Sequence, residues 1–113
     1  MIEKISRQEI LENLRDNRPM TLVEALPLRY FADAHLPGAI NINFDEVEQL
    51  APKVLPDREA LIVVYCANAA CQNSAKAAFK LKTLGYRNVR QYAEGKEDWV
   101  NAGLETVGSR AAA

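Results

Sequence analysis

The chain has 113 residues, of which 49% are hydrophobic and 26% are charged, with a formal net charge of −1. This composition predicts one globular domain, and the near-neutral charge argues against a nucleic acid as the main partner. No apolar run is long enough for a membrane helix, and the first residues lack the apolar stretch of a secretory signal. We therefore expect a cytoplasmic protein with neither a nucleic acid nor a membrane as partner.

The first half of the chain predicts strands alternating with helical segments. Ser6 and Glu9 have the spacing of a capping box at the start of the first helix, which ends before Pro19. The pattern then predicts a strand over 21–25, a helical turn over 28–34, a strand over 39–43 and a short helix over 44–50 that ends before Pro52.

The second half contains the clearest element, a hydrophobic run over 60–65 that predicts a strand covered on both faces. Gly85 is well placed to end the helix that follows. The remaining predictions are a helix over 74–84 with Ala75, Ala78, Leu81 and Leu84 on its inner face and Phe79 beside them, a strand over 88–92, and a closing helix over 96–102 that contains Trp99 as a core residue.

Strands that alternate with helices at these lengths pair in parallel through right-handed crossovers. The predicted fold class is therefore α/β, with three layers and a central parallel sheet of four or five strands flanked by helices. We expect the domain to cover residues 1–107 and residues 108–113 to form a disordered tail.

Cys66 follows the predicted central strand and precedes a loop of small and polar residues. Ligands of parallel sheets bind just past the carboxyl ends of the strands, and free N–H groups at a helix N-terminus favour negative charge. A thiol in that place is readily ionised. We favour a functional thiol over a small buried residue, with an anion-binding loop formed by Ala67, Asn68, Ala69, Ala70, Gln72, Asn73 and Ser74.

The charge distribution leaves two interpretations open. Residues 1–65 carry 7 basic and 11 acidic side chains, whereas residues 66–113 carry 7 basic and 4 acidic ones. The excess of cations after Cys66 is a solvated lysine face of a helix or a positive field that attracts a small anion. We favour the solvated face, and we expect the same of Lys76, the cation nearest the loop.

A second cysteine, Cys71, lies five positions after Cys66. Two cysteines and one distant histidine supply too few ligands for a zinc site, so no metal is expected. Cys71 is either a neutral small residue of the loop or a second thiol that resolves a persulfide or sulfenic acid of Cys66 into a disulfide.

Several blocks of the chain resemble the rhodanese-like domains, in the expected order. The segment from His35 to Ile42, His-Leu-Pro-Gly-Ala-Ile-Asn-Ile, is similar to their histidine–aliphatic–proline–glycine–alanine signature. Val63-Val64-Tyr65-Cys66 resembles their cysteine strand. Similar blocks follow at 74–78, at 84–89 and in the closing segment around Gly95, Trp99 and residues 102–104. The resemblance extends over residues 4–107 and indicates a single-domain member of that family with a lengthened Cys-x4-Cys loop.

The resemblance implies sulfurtransferase chemistry without any metal or organic cofactor. The cysteine that matches Cys66 attacks the outer sulfur of a donor such as thiosulfate or a persulfide, becomes a persulfide, and passes the sulfur to a thiol or another thiophilic acceptor. The partners it implies are a small anionic sulfur donor and a thiol acceptor, which includes a protein acceptor. His35 matches a structural position rather than a catalytic one.

Three features depart from the family pattern. The loop from Cys66 to Ser74 is two residues longer than usual and contains neither arginine nor lysine, which weakens thiosulfate binding. Glu24-Ala25-Leu26 replaces the aspartate–x–arginine of the first family strand, so the arginine of that ion pair is missing. Ala34 replaces the glycine before the histidine.

A reactive cysteine in such a loop is also compatible with three other functions. A cysteine phosphatase needs an arginine six positions after its cysteine to clamp the oxyanion, and that position is Gln72 when counted from Cys66 and Ala77 when counted from Cys71. The phosphatase is thereby excluded. A non-catalytic interaction module on the same scaffold and a thiol redox switch of Cys66 and Cys71 remain as alternatives.

Overall fold

A computed structural model describes residues 2–109, which form five parallel strands and five α-helices. The strands are β1 (Glu3–Lys4), β2 (Thr21–Glu24), β3 (Ile40–Asn41), β4 (Leu61–Tyr65) and β5 (Asn88–Tyr92). The helices are α1 (Arg7–Arg15), α2 (Leu28–Asp33), α3 (Val47–Val54), α4 (Asn73–Thr83) and α5 (Gly95–Asn101), with a 3-10 turn over Phe44–Glu46. The sheet order is β1-β5-β4-β2-β3, which places β4 at the centre.

The sheet is covered on both faces, as its apolar central strand predicts. Ile62 and Val64 face one side of β4 and pack in a core with residues of α3 and α4. Val63 and Tyr65 face the other side, where the core includes Ile10 of α1 and Trp99 of α5. The predicted α/β fold with three layers and a parallel sheet is therefore confirmed.

Pro52 does not end the helix that contains it, so the predicted end before Pro52 was wrong, although residues 44–50 are helical as predicted. A 3-10 turn comes first, and α3 then continues to Val54. Pro52 removes one backbone hydrogen bond. The helix nevertheless continues because Ala51 and Leu55 are buried, and the single hydroxyl proton of Tyr86 is shared between their carbonyl oxygens, at 3.0 and 2.6 Å.

The inner face of α4 also differs from the predicted one. Its buried residues are Ser74, Ala77, Ala78 and Leu81, whereas Ala75 is exposed. Phe79, predicted to lie beside the inner face, is 67% exposed. The three-residue spacing predicts an inner face that is rotated by part of a turn from the observed one. Alanines lie on both sides of the helix, so the hydrophobic pattern does not define clearly which side is buried.

The edge strands carry little sequence signal. β1 has two exposed charged residues, so no hydrophobic pattern predicts it, and β3 is shorter than the predicted 39–43. Near the end of the described chain, Val107 and His35 form an antiparallel bridge, and the N–H of Ser109 donates to the Ala32 carbonyl at 3.0 Å. Most of the predicted disordered tail, residues 110–113, lies outside the described residues.

Candidate active site

Cys66 lies immediately after β4, at the carboxyl end of the central strand, where the sequence predicts it. Its side chain is buried, with an exposed fraction of 1%. The chain then runs through a short loop into α4, which begins at Asn73. The neighbouring parallel strands β2 and β5 end beside β4, so the loop lies at the edge of the sheet where ligands of such folds bind.

The structure joins Cys66 and Cys71 in a disulfide, with their Cα atoms 6.4 Å apart. Cys71 is half-buried, whereas Cys66 is fully buried. The lengthened loop therefore folds back on itself and brings the two predicted thiols together. The described chain is in its oxidised form.

Asn68 holds the fold of this loop. Its side-chain oxygen accepts hydrogen bonds from the N–H groups of Ala70 and Cys71, both at 3.1 Å. The Cys71 N–H also reaches the Asn68 carbonyl at 3.1 Å. Asparagine is suited to this role because its short amide reaches backbone groups two and three residues ahead. In this oxidised form these two N–H groups bind Asn68 and are not free to bind an anion.

A buried pair of polar side chains, Ser74 and Gln91, lies next to the Cys66 sulfur. Ser74 Oγ is 3.4 Å from Cys66 Sγ, and the Gln91 side-chain amide donates to Ser74 Oγ at 2.9 Å. Ser74 is fully buried and Gln91 is 9% exposed. Ser74 was among the predicted loop residues, but Gln91 was missed. The only signal for it is a polar residue at an inward position of a strand that pairs with β4.

The base of the loop is held by the start of α5. The N–H of Lys96 donates to the Cys66 carbonyl and the N–H of Glu97 to the Ala67 carbonyl, both at 2.9 Å. The approach is close because the preceding residue is Gly95, with a φ of +71°. A Cβ at Gly95 would lie 2.6 Å from the Cys66 carbonyl oxygen.

A buried ion pair lies under the same helix start. Lys96 Nζ is 3.0 Å from a carboxylate oxygen of Glu24, and the Tyr65 hydroxyl donates to the other oxygen at 2.8 Å. Burial raises the pKa of Glu24, which Lys96 and the tyrosine hydrogen bond counteract. Burial also raises the pKa of Tyr65, and the Glu24 charge adds to that. Leu26 stands where the family pattern has an arginine, so the strand of Glu24 offers no cation. The carboxylate instead pairs with Lys96, from a distant part of the sequence.

A cavity of about 280 Å³ opens beside the loop, between α2 and α5. Its wall is mixed, with apolar side chains, two carboxylates and one ammonium. The ammonium belongs to Lys96 and is already paired with Glu24. The lining residues are Leu26, Tyr30, Asp33, Ala67, Asn68, Lys96, Glu97, Val100 and Asn101.

The cations that follow Cys66 in the sequence lie mostly in ion pairs rather than around the sulfur. Lys80 pairs with Glu48, Arg87 with Glu59 and Arg90 with Glu9. Lys76 has its ammonium 5.4 Å from the centre of the Phe44 ring. These contacts favour the solvated-face interpretation of the positive charge.

His35 has structural contacts. Its ring stacks on Phe31 with centroids 3.8 Å apart, and its Nδ1 is 2.8 Å from the Phe31 carbonyl oxygen. Its backbone forms the bridge with Val107. These contacts agree with the structural role that the sequence indicates for this residue.

No helix within residues 2–109 is long and apolar enough to cross a bilayer. Over the same residues, no group of three or more His, Cys, Asp or Glu side chains is arranged to hold a metal ion.

Two solved structures share the fold. A protein from Bacillus halodurans, BH2092, superposes with a TM-score of 0.89 over 97% of this chain and 80% of its own, at 23% identity. The thiosulfate sulfurtransferase of Pseudomonas aeruginosa gives a TM-score of 0.85 over 95% of this chain and 20% of its own, at 28% identity.

Comparison of the sequence with known proteins and family profiles identifies the family. The HTH-type transcriptional regulator Rv0324 of Mycobacterium tuberculosis is 33% identical over 102 residues, which are 90% of this chain and 43% of the regulator. The chain thus spans less than half the length of that curated relative. The sequence profile described as "Rhodanese-like domain" matches residues 6–102. The chain therefore belongs to the rhodanese-like domain family.

Proposed function

We propose that the protein is a sulfurtransferase that moves sulfane sulfur from thiosulfate or a persulfide donor to a thiol acceptor through a persulfide of Cys66. The observation that carries the proposal is a single buried sulfur at the carboxyl end of β4, within 3.4 Å of the Ser74 hydroxyl. Membership of the rhodanese-like family and the likeness to a protein named thiosulfate sulfurtransferase support the same chemistry.

The reaction has two displacement steps at sulfur. The Cys66 thiolate attacks the outer sulfur of the donor, and the donor's sulfur–sulfur bond breaks to release sulfite from thiosulfate or a thiolate from a persulfide. The acceptor thiolate then attacks the outer sulfur of the Cys66 persulfide. This second step gives an acceptor persulfide and returns the Cys66 thiolate. Since the thiolate is the nucleophile, a hydrogen bond from the Ser74 hydroxyl to Sγ favours the reactive form.

The charges around the loop favour a persulfide donor over thiosulfate. The loop itself contains no cation, and the ammonium in the neighbouring cavity is neutralised by Glu24. Glu97 lines the same cavity. A dianion such as thiosulfate therefore meets a neutral to acidic surface, whereas an organic persulfide has apolar atoms for Leu26 and Val100 to contact.

When no acceptor thiol has taken the sulfur, Cys71 acts as the resolving thiol in this proposal. Its thiolate attacks Sγ of the Cys66 persulfide and expels hydrosulfide, which leaves the Cys66–Cys71 disulfide. A dithiol reductant then restores both thiols at the cost of its own oxidation. The support is the disulfide itself, which the five-residue spacing and the Asn68 turn allow.

We assign the protein to the cytoplasm, where such reductants keep thiols reduced.

The experiment is a turnover assay of the reduced protein with thiosulfate or glutathione persulfide as donor and a dithiol as acceptor. We expect faster turnover with the persulfide and no turnover in Cys66→Ser. Turnover at the parental rate in Cys66→Ser would contradict the proposal. A parent protein that transfers no sulfur from either donor would also contradict it and favour the non-catalytic interaction module.

The disulfide also favours a second candidate function, a thiol redox switch. Oxidation of Cys66 and Cys71 would then be the signal rather than a step in turnover. The two functions differ in what forms the disulfide: an oxidant such as hydrogen peroxide forms it in a switch, and a sulfur donor forms it in the transferase.

A further inference from the structure

Gln91 is a buried polar residue near the end of β5, and the proposed two-step reaction does not use it. It pairs in the sheet with Val64, two residues before Cys66. Because side chains alternate along strands, Gln91 and Cys66 face the same side of the sheet, the side covered by α4. Ser74, the second residue of α4, lies between them.

The hydrogen bonds determine what the Ser74 hydroxyl can do. A serine hydroxyl has one proton to donate and two lone pairs to accept with. The Gln91 amide donates to Ser74 Oγ at 2.9 Å and so occupies one lone pair. The hydroxyl proton remains, and Cys66 Sγ lies 3.4 Å from the same oxygen, within reach for a sulfur acceptor.

Burial of these side chains limits which hydrogen-bond donors can stabilise a Cys66 thiolate. Ser74 has no exposed surface and Gln91 is only 9% exposed. A buried thiolate loses water as its hydrogen-bond donor, so a protein donor must replace it. The N–H groups of Ala70 and Cys71 bind the Asn68 side chain in the oxidised form, which leaves the Ser74 hydroxyl as a donor next to the sulfur.

We propose that Gln91 is a positioning residue that acts through Ser74: its amide orients the Ser74 hydroxyl so that the hydroxyl donates to the Cys66 thiolate and to the inner sulfur of its persulfide. This inference rests on the proposed function only for its consequence in catalysis. The hydrogen-bond chain itself is tested on the thiol, without any sulfur donor.

The test is the rate of alkylation against pH for reduced protein carrying Cys71→Ser, so that Cys66 is the single thiol. A hydrogen bond to a charged group is worth enough to move the pH midpoint by about one unit. We expect Ser74→Ala to raise the midpoint by about one pH unit and Gln91→Met by about half of that. In the Ser74→Ala background, Gln91→Met should cause no further change.

Tyr86→Phe is the matched control, because it also removes a buried side-chain hydrogen bond but lies against Ala51 and Leu55. It should lower stability and leave the midpoint unchanged. Ser74→Thr retains a hydroxyl and should keep the parental midpoint. An unchanged midpoint in Gln91→Met would overturn the proposal, and so would a lowered midpoint, because the amide would then be taking the hydroxyl proton away from the sulfur.

A second measurement leaves Gln91 unmutated and so does not depend on the folding of its variants. In the NMR spectrum of the reduced Cys71→Ser protein, the Gln91 side-chain amide signals should titrate with the Cys66 midpoint. Ser74→Ala should remove most of that titration. Signals that do not move with pH, or that move equally in Ser74→Ala, would contradict a chain running through Ser74. Neither measurement needs turnover, so a failure here is distinct from a failure of sulfur transfer.

Discussion

The Cys66 carbonyl and Gly95 are in such close contact that a Cβ on the glycine would lie 2.6 Å from the carbonyl oxygen. The contact allows the first N–H groups of α5 to hold the loop, at the carbonyls of Cys66 and Ala67. Gly95 therefore determines how the helix meets the cysteine loop, although it takes no part in the chemistry.

Gly95→Ala should destabilise the fold by about 3 kcal/mol, from the strained φ and from overpacking against the carbonyl. Gly103→Ala is the matched control, since Gly103 has a similar φ of +79° but nothing within 4 Å of its would-be Cβ. It should cost about 1 kcal/mol, for the φ alone. Denaturant unfolding of both variants gives the difference, and equal losses would contradict the role of close contact.

Lys96→Met should destabilise the protein by about 3 kcal/mol, because it leaves the fully buried Glu24 carboxylate without its cation. The more exposed pair of Lys80 and Glu48 provides the control, and Lys80→Met should cost less than about 1 kcal/mol. A second substitution, Glu24→Gln, should recover part of the Lys96→Met loss.

The Lys96→Met loss should also depend on pH. Burial raises the pKa of Glu24, and removal of Lys96 raises it further because the ammonium acts in the opposite direction. The folded variant then holds a proton that the unfolded chain has lost, so its free energy of unfolding rises as the pH falls. Unfolding at about pH 8 and about pH 5 should show a smaller loss at the lower pH. A loss that grows on acidification would contradict this account of Glu24.

His35→Ala should leave the alkylation profile of Cys66 almost unchanged. The His35 ring is engaged with Phe31 by stacking and through the Nδ1 contact. We expect lower thermal stability and the parental pH midpoint. A midpoint that moves up strongly in this variant would mean that the histidine, rather than the Ser74 hydroxyl, stabilises the thiolate.

Cys71→Ser should convert a transient persulfide into a lasting one. In the parent, treatment with a sulfur donor should give the Cys66–Cys71 disulfide and free hydrosulfide, seen by non-reducing peptide mapping. In Cys71→Ser the persulfide should stay on Cys66 because no neighbouring thiol can expel it. A stable Cys66 persulfide in the parent, with Cys71 still free, would make Cys71 a bystander.

The central part of this fold is predictable from sequence because its signals are strong and local. The run over 60–65 is hydrophobic throughout, and only a strand covered on both faces accommodates it in the middle of a parallel sheet. The capping box of Ser6 and Glu9 forms as its spacing predicts. The same run predicts the position of Cys66 at the carboxyl end of β4, because Cys66 is the next residue of the chain.

What could not be predicted depends on residues far apart in the chain. The pairing of Glu24 with Lys96 and the contact of Ser74 with Gln91 join positions that only the folded sheet brings together. Phe79 was misplaced for a different reason. The alanines of α4 give little direction to the hydrophobic face, so local pattern and tertiary packing disagree about where the ring lies.

The measurement that tests the central claim most directly is the intact mass of the reduced Cys71→Ser protein after treatment with glutathione persulfide. We predict a gain of about 32 Da for each sulfur atom acquired, removed again by a dithiol and located on Cys66 by peptide mapping. Cys66→Ser should show no such gain. A Cys71→Ser protein that acquires no sulfur, or a Cys66→Ser protein that acquires it equally well, would contradict the assignment of Cys66 as the sulfur carrier.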